Sequence, residues 1–170
     1  MKKSYTFVLA ALAAAPLLAS ADTPKTDAKT DAKPDAGGHA MYTPGDIKWA
    51  DAPPVLPAGA KIAVLAGDPF KPGYYSLRLK LPAKYKIAPH THPIEEYVTV
   101  LSGDFSAGMG DKLDAKAVKS FPTGSFMVMP ANMAHYVVLA KETTVEISGI
   151  GPFAMTYVNP ADDPSKAAKK

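Results

Sequence analysis

Between Lys61 and Val158 the chain alternates apolar runs of five to eight residues with Gly and Pro punctuation. Runs of that length, rich in Val, Leu, Tyr and Phe, are too short for most helices and read as strands. The pattern predicts strands over Lys61 to Ala66, Tyr74 to Leu81, Glu95 to Leu101, Asp104 to Met109, Ser125 to Met129, His135 to Ala140, Thr143 to Ile147 and Phe153 to Val158. Segments such as GDPFKPG and LSGD supply the turns between them. Only DKLDAKAVK, from Asp111 to Lys119, has a spacing suited to a short helix. Many short strands with little helix predict an all-β sandwich or barrel, where closing the sheet removes exposed edges.

The two ends of the chain follow different rules. Residues 1–21, MKKSYTFVLAALAAAPLLASA, join Lys2 and Lys3 to an apolar run and close on the small residues Ala19, Ser20 and Ala21. This is the pattern of a cleaved secretory signal peptide, with the cut expected after Ala21 and the mature chain periplasmic or secreted. No later run approaches the length of a membrane span, so no integral membrane association is expected after cleavage. From Lys25 the repeat KTDA, KTDA, KPDA offers no apolar side chain larger than alanine, and residues 22–44 read as a flexible linker. His39, beside Gly37 and Gly38, falls in that linker and reads as a solvated histidine. The expected folded domain is 45–160, followed by a polar, frayed tail at 161–170.

Composition narrows the partners. The formal charge is only +3, and Lys2, Lys3 and the Lys-rich tail carry much of it, so no nucleic-acid partner is expected. The chain has no cysteine, which in an exported protein excludes both a disulfide framework and thiolate metal sites. Roughly 110–150 residues suffice for one domain with a real core.

Against that apolar background the stretch APHTHPIEEYVTVLSG stands out, because His90, His92 and Glu96 are poor core material. Strand side chains alternate between faces. The three donors therefore share a parity, while Thr91, Glu95 and Tyr97 take the other, which favours Glu96 over Glu95 as a third ligand. Such donors are expensive to bury unpaired, and a divalent cation turns that penalty into a binding site. A second stretch, GSFMVMPANMAHYVVLAKE, turns through Pro130, Ala131 and Asn132 and brings His135 to the start of a strand. Asn132 suits such a turn because it tolerates left-handed backbone geometry.

These two stretches resemble the paired motifs of the cupin superfamily. His90, His92, Glu96 and Gly103 match the first motif, and Gly124, Pro130 and His135 match the second. Asn132 stands where the family has glycine, Leu139 where it has a terminal Asn, and Lys84 where the first motif opens on glycine. The likeness covers Tyr74 to Ile147. It implies a double-stranded β-helix, or jelly-roll, barrel holding one divalent transition metal (Fe, Mn, Zn, Ni or Cu) on His90, His92, Glu96 and His135. That donor set leaves two adjacent octahedral positions open. It is similar to the donor sets of cupin dioxygenases, isomerases and oxalate-degrading enzymes. The resemblance extends to single-domain exported cupins, some related to the cupin half of anti-sigma regulators, and implies a homodimer, for which the edge of GPFAMTYVNP is available.

Two functions from different classes follow. One is a small mononuclear metalloenzyme acting on a small oxygenated organic acid or with dioxygen; the other is a metal-dependent module that binds or senses a small ligand without turnover. The donor types do not choose the metal. Met127, Met129 and Met133 lie near the second motif and read as core filling rather than as copper ligands. A catalytic role needs a further polar group, and Arg78, the only arginine, is the candidate to pair a substrate carboxylate if it points into the barrel mouth. Tyr75 and Tyr85 are similar candidates, and Glu146 is a candidate acid or base.

Overall fold

The computed structural model of the chain describes residues 40–167. The leader at 1–21, the linker as far as His39, and residues 168–170 lie outside the described residues. In chain order the strands are β1 (Ala50–Asp51), β2 (Lys61–Ala66), β3 (Gly73–Leu81), β4 (Lys86–Thr91), β5 (Glu96–Ser102), β6 (Asp104–Met109), β7 (Lys119–Pro122), β8 (Phe126–Met129), β9 (His135–Val138), β10 (Thr143–Gly151) and β11 (Thr156–Tyr157). Two short 3-10 turns, Pro44–Asp46 and Pro160–Asp162, and one helical turn, α1 (Pro164–Ala167), complete the described elements.

The strands form two antiparallel sheets, ordered β1-β2-β3-β10-β5-β8 and β11-β4-β9-β6-β7. Non-sequential neighbours such as β10 between β3 and β5 are the mark of a jelly roll. Period-two burial builds the core between the sheets. Leu77, Leu79 and Leu81 of β3, Val98 and Val100 of β5, and Val145 and Ile147 of β10 all turn inward. Facing them from the second sheet are Ile87, Phe105, Ala107 and Val137. Each such Leu, Val, Ile or Phe side chain contributes about 1.5–3 kcal/mol by leaving water.

The turns explain particular residues. Gly103 joins β5 to β6 at a φ of +78°, and a Cβ there would sit 2.3 Å from the Glu142 carbonyl oxygen. Lys84 and Asn132, which replace motif glycines, both keep the left-handed backbone, with φ of 63° and 61°. The Asn132 amide donates to the His92 carbonyl at 2.7 Å, so the two motif loops are tied to one another.

Three sequence expectations change. DKLDAKAVK forms no helix: the Asp114 side chain accepts from the Lys116 amide, its carbonyl accepts from Ala117, and the segment turns into β7. A local side-chain-to-backbone bond has displaced a helix too short to stand alone. β4 and β7 were not predicted, because Pro89 and the polar residues of both strands hide their alternation. The strand expected over Phe153 to Val158 shrinks to Thr156–Tyr157, since Phe153 to Met155 are irregular backbone against the core.

Candidate metal centre

β4 does not run regularly to the site. Ile87 pairs with Val137, but His90 pairs with His135, so three steps on β4 match two on β9. The extra residue is a bulge at Ala88–Pro89, and it reverses the alternation so that Ile87 and His90 both face inward. After Thr91 the chain leaves this sheet, passes His92, and enters the opposite sheet at Glu96. Parity along one continuous strand therefore does not explain the convergence; a bulge and a crossover between sheets do. His135 opens β9 beside His90.

His90, His92 and His135 are buried, at 2–3 % exposure. Their rings lie 5.0 Å (His90–His92), 4.3 Å (His90–His135) and 5.2 Å (His92–His135) apart between centroids. One ligand nitrogen from each lies within 4.8 Å of the others, and the three are positioned to bind a metal ion. Glu96 Oε2 stands 3.7 Å from the Nε2 atoms of both His92 and His135. Glu95 is exposed, and its carboxylate accepts from the Tyr97 hydroxyl.

Backbone carbonyls orient all three rings. His90 Nδ1 lies 2.8 Å from the Ala88 oxygen, His92 Nδ1 2.7 Å from the Ala154 oxygen, and His135 Nδ1 3.1 Å from the Met133 oxygen. A carbonyl accepts only from an N–H, so each Nδ1 carries the proton and each Nε2 keeps its lone pair for the centre. This is the carbonyl-anchored arrangement typical of metal-ligating histidines. His92 Nε2 is buried without a hydrogen-bond partner. Phe153 stacks on His92 at 4.6 Å, and Tyr157 lies beside His90 at 6.0 Å.

The electrostatics suit a cation. Burial, reinforced by neighbouring His135, holds His90 down to about 3. Burial also lowers His92, and it lowers His135 against the opposing pull of Glu96. Neutral imidazoles have no proton to displace. Burial pushes Glu96 up to about 7, with His135 working the other way. An orphaned acceptor, three presented lone pairs and a carboxylate that lacks a cation together fit a divalent transition ion.

The donors open into a cavity of about 100 Å³. Leu77, Leu79, Val98, Phe105, Val145 and Phe153 are among its walls, and among the described residues the charged or ionisable ones lining it are His90, His92, Glu96 and His135. One side is closed by the strap between β1 and β2, where Tyr157 donates to the Val55 carbonyl at 2.8 Å and Tyr85 to that of Pro57.

The structure does not bring Arg78 to the donors. It lies on the other face of β3 from the inward leucines, and its Nε donates to Glu146 Oε2 of β10 over 2.9 Å. Arg78 and Glu146 are cross-strand partners, so two sequence candidates satisfy each other outside the cavity. Met127 and Met129 are buried in the core, and Met133 is exposed. The orienting carbonyls and the strap were not read from the sequence, and a carbonyl leaves no residue signature to read. No helix among the described residues is long and apolar enough to cross a membrane.

Comparison with known proteins bears on this geometry. The model of a family described as a domain of unknown function (DUF4437) matches residues 24–154. No curated protein matches the chain. Among solved structures, the polyketide cyclase RemF from Streptomyces resistomycificus is 14% identical over 78% of this chain and 94% of that one, with a TM-score of 0.63. A putative acetylacetone dioxygenase from Methylibium petroleiphilum is 19% identical over 74% and 85%, with a TM-score of 0.56. An RmlC-like cupin from Shewanella frigidimarina is 14% identical over 65% and 88%, with a TM-score of 0.51.

Proposed function

The chain belongs to the DUF4437 family and has the cupin fold, and from that premise we propose that it is a mononuclear metal cupin acting on a small oxygen-bearing molecule. His90, His92 and His135 would hold the ion through Nε2, and Glu96 would be the fourth ligand. The observation that carries this is the shared orientation of three buried rings, each with Nδ1 held by a carbonyl. When bound, the ion would supply Lewis acidity toward an oxygen donor and, if redox-active, access to dioxygen chemistry. The chain's own part is to exclude water, orient the donors and grip an apolar body with the walls of the cavity.

With no Lys or Arg among the described lining residues, a substrate with a second carboxylate would find no countercharge there. The cavity therefore favours a small diketone or phenolic compound over a dicarboxylate. An engineered apolar cavity of about 150 Å³ takes benzene, which sets the scale for one of about 100 Å³. Among the described residues the lining offers no acid or base beyond His90, His92, Glu96 and His135, and that observation favours, as a second reading, a module that holds its ligand without turnover.

Chelator-stripped protein should take up one ion per chain, and His92→Ala should abolish uptake. Substoichiometric binding by the wild type would sink the reading. Oxygen consumption or product formation with diketones and phenols supports the enzyme; ligand-dependent thermal stabilisation without product supports the binding module. Export to the periplasm or beyond, supported by the leader sequence, and pairing as a homodimer, supported by the sheet edges that no other described strand pairs, belong to the same proposal. Sequencing the mature N-terminus and light scattering test them.

A further inference from the structure

Two buried side-chain atoms among the described residues have no hydrogen-bond partner: His92 Nε2 and the Tyr75 hydroxyl. The first faces the metal centre. The second belongs to a side chain that is fully buried and does not line the cavity. A buried hydroxyl without a partner carries a desolvation penalty, and one beside a functional site calls for a physical reason.

The register of the first sheet supplies it. Tyr75 pairs with Gly149. Ser148 pairs with Tyr97, so the next step in that register sets Gly149 opposite Glu96, and Glu96 in turn pairs with Met129. Tyr75, Gly149, Glu96 and Met129 thus form one row across four strands, all facing inward. Two strand spacings, about 9–10 Å, separate the backbones of Tyr75 and Glu96. The intervening residue is a glycine, and the phenol lies directly over it. A Cβ at position 149 would sit 3.0 Å from the Tyr75 hydroxyl oxygen, 3.2 Å from its Cε1 and 3.1 Å from the Glu95 carbonyl oxygen. The missing side chain is the channel through which the hydroxyl reaches the start of β5, where Glu96 stands. On its other side the ring meets Phe153 edge-on at 5.8 Å, the same Phe153 that stacks on His92.

We propose that Tyr75 is a positioning residue for the metal centre, its hydroxyl donating to the Glu96 carboxylate once a cation is bound. The role rests on the metal reading. It assigns both orphaned atoms to one centre: the imidazole nitrogen is left for the ion, and the phenol for the carboxylate that would turn to the ion. Burial, with the Glu96 carboxylate adding to it, pushes the phenol's pKa up and keeps it a neutral donor. Gly149 is then part of the site without touching the metal.

The test is Tyr75→Phe in the full chain, read by zinc titration against a chromophoric chelator and by thermal melting of metal-free protein. Zinc affinity should fall about tenfold, as for loss of a group that supports a ligand. The metal-free melting temperature should hold or rise, since the variant removes an unpartnered hydroxyl. In a Glu96→Gln background the same substitution should leave zinc affinity unchanged, because no carboxylate remains for the phenol to serve. Wild-type zinc affinity in Tyr75→Phe overturns the role, as does an equal loss in the Glu96→Gln background. A markedly lower melting temperature of the metal-free variant would also overturn it, by revealing a partner within the fold. If the wild type itself takes up no zinc, the metal reading fails and takes this role with it. Normal uptake by both wild type and Tyr75→Phe overturns the role alone.

Discussion

Replacing Glu96 by glutamine should stabilise the metal-free protein at neutral pH and above while weakening its hold on a metal. Glu96 is buried, and burial lifts its carboxyl from 4.5 to about 7. A group whose pKa is higher in the folded state contributes stability below its unfolded value and loses it as pH rises through the folded value. At about 1.4 kcal/mol per pKa unit, the gap between 4.5 and about 7 makes the ionised carboxylate about 3 kcal/mol worse for the fold than the neutral form. Glutamine has nearly the same shape and never ionises. Urea denaturation in excess chelator should therefore give similar stabilities for the two proteins near pH 5. The variant should lead by up to about 3 kcal/mol at pH 8. Comparing the two proteins at each pH largely cancels the histidine titrations they share. A stability difference that is flat from pH 5 to 8, or a wild type that is more stable at pH 8, would refute the reasoning. In the metal-loaded state the order should reverse, because the cation offsets the burial of the carboxylate and the amide cannot replace it.

Other consequences follow from the same geometry. His90 is held at about 3 against an ordinary 6.5, so between pH 7 and pH 5 the unfolded chain takes up a proton that the folded chain refuses. His90→Gln should then reduce the acid destabilisation of metal-free protein by about 2 kcal/mol at pH 5, measured by the same denaturation series. Leu81→Ala removes a cavity wall that is 1 % exposed and should cost about 2–5 kcal/mol in folding free energy while metal stoichiometry stays at one. Tyr157→Phe deletes the bond to the Val55 carbonyl, worth about 1 kcal/mol. Hydrogen exchange should then quicken at the Leu56 amide, which donates within the strap. Arg78→Met should leave zinc affinity unchanged by titration, since its partner is Glu146 on the outer face.

The sequence by itself determined the all-β class, most of the strands and the three histidines positioned to bind a metal. Period-two hydrophobicity is written in side chains, and His90, His92, Glu96 and His135 stand out against it because imidazoles and carboxylates resist burial without a partner. The DKLDAKAVK segment departs from its weak helical spacing because Asp114 accepts from both the Lys116 and the Ala117 amides. β4 escaped notice because its bulge breaks the alternation on which recognition depends.

Tertiary structure alone decided the rest. Arg78 and Glu146, Tyr75 and Gly149, and His90 and His135 are far apart in the chain and meet only through strand pairing. The carbonyls of Ala88, Met133 and Ala154 set the histidine tautomers, and every residue type has a carbonyl. Local sequence can name the groups that bind a cation, but their aim depends on register and on crossing between sheets, which are settled only when distant strands pack.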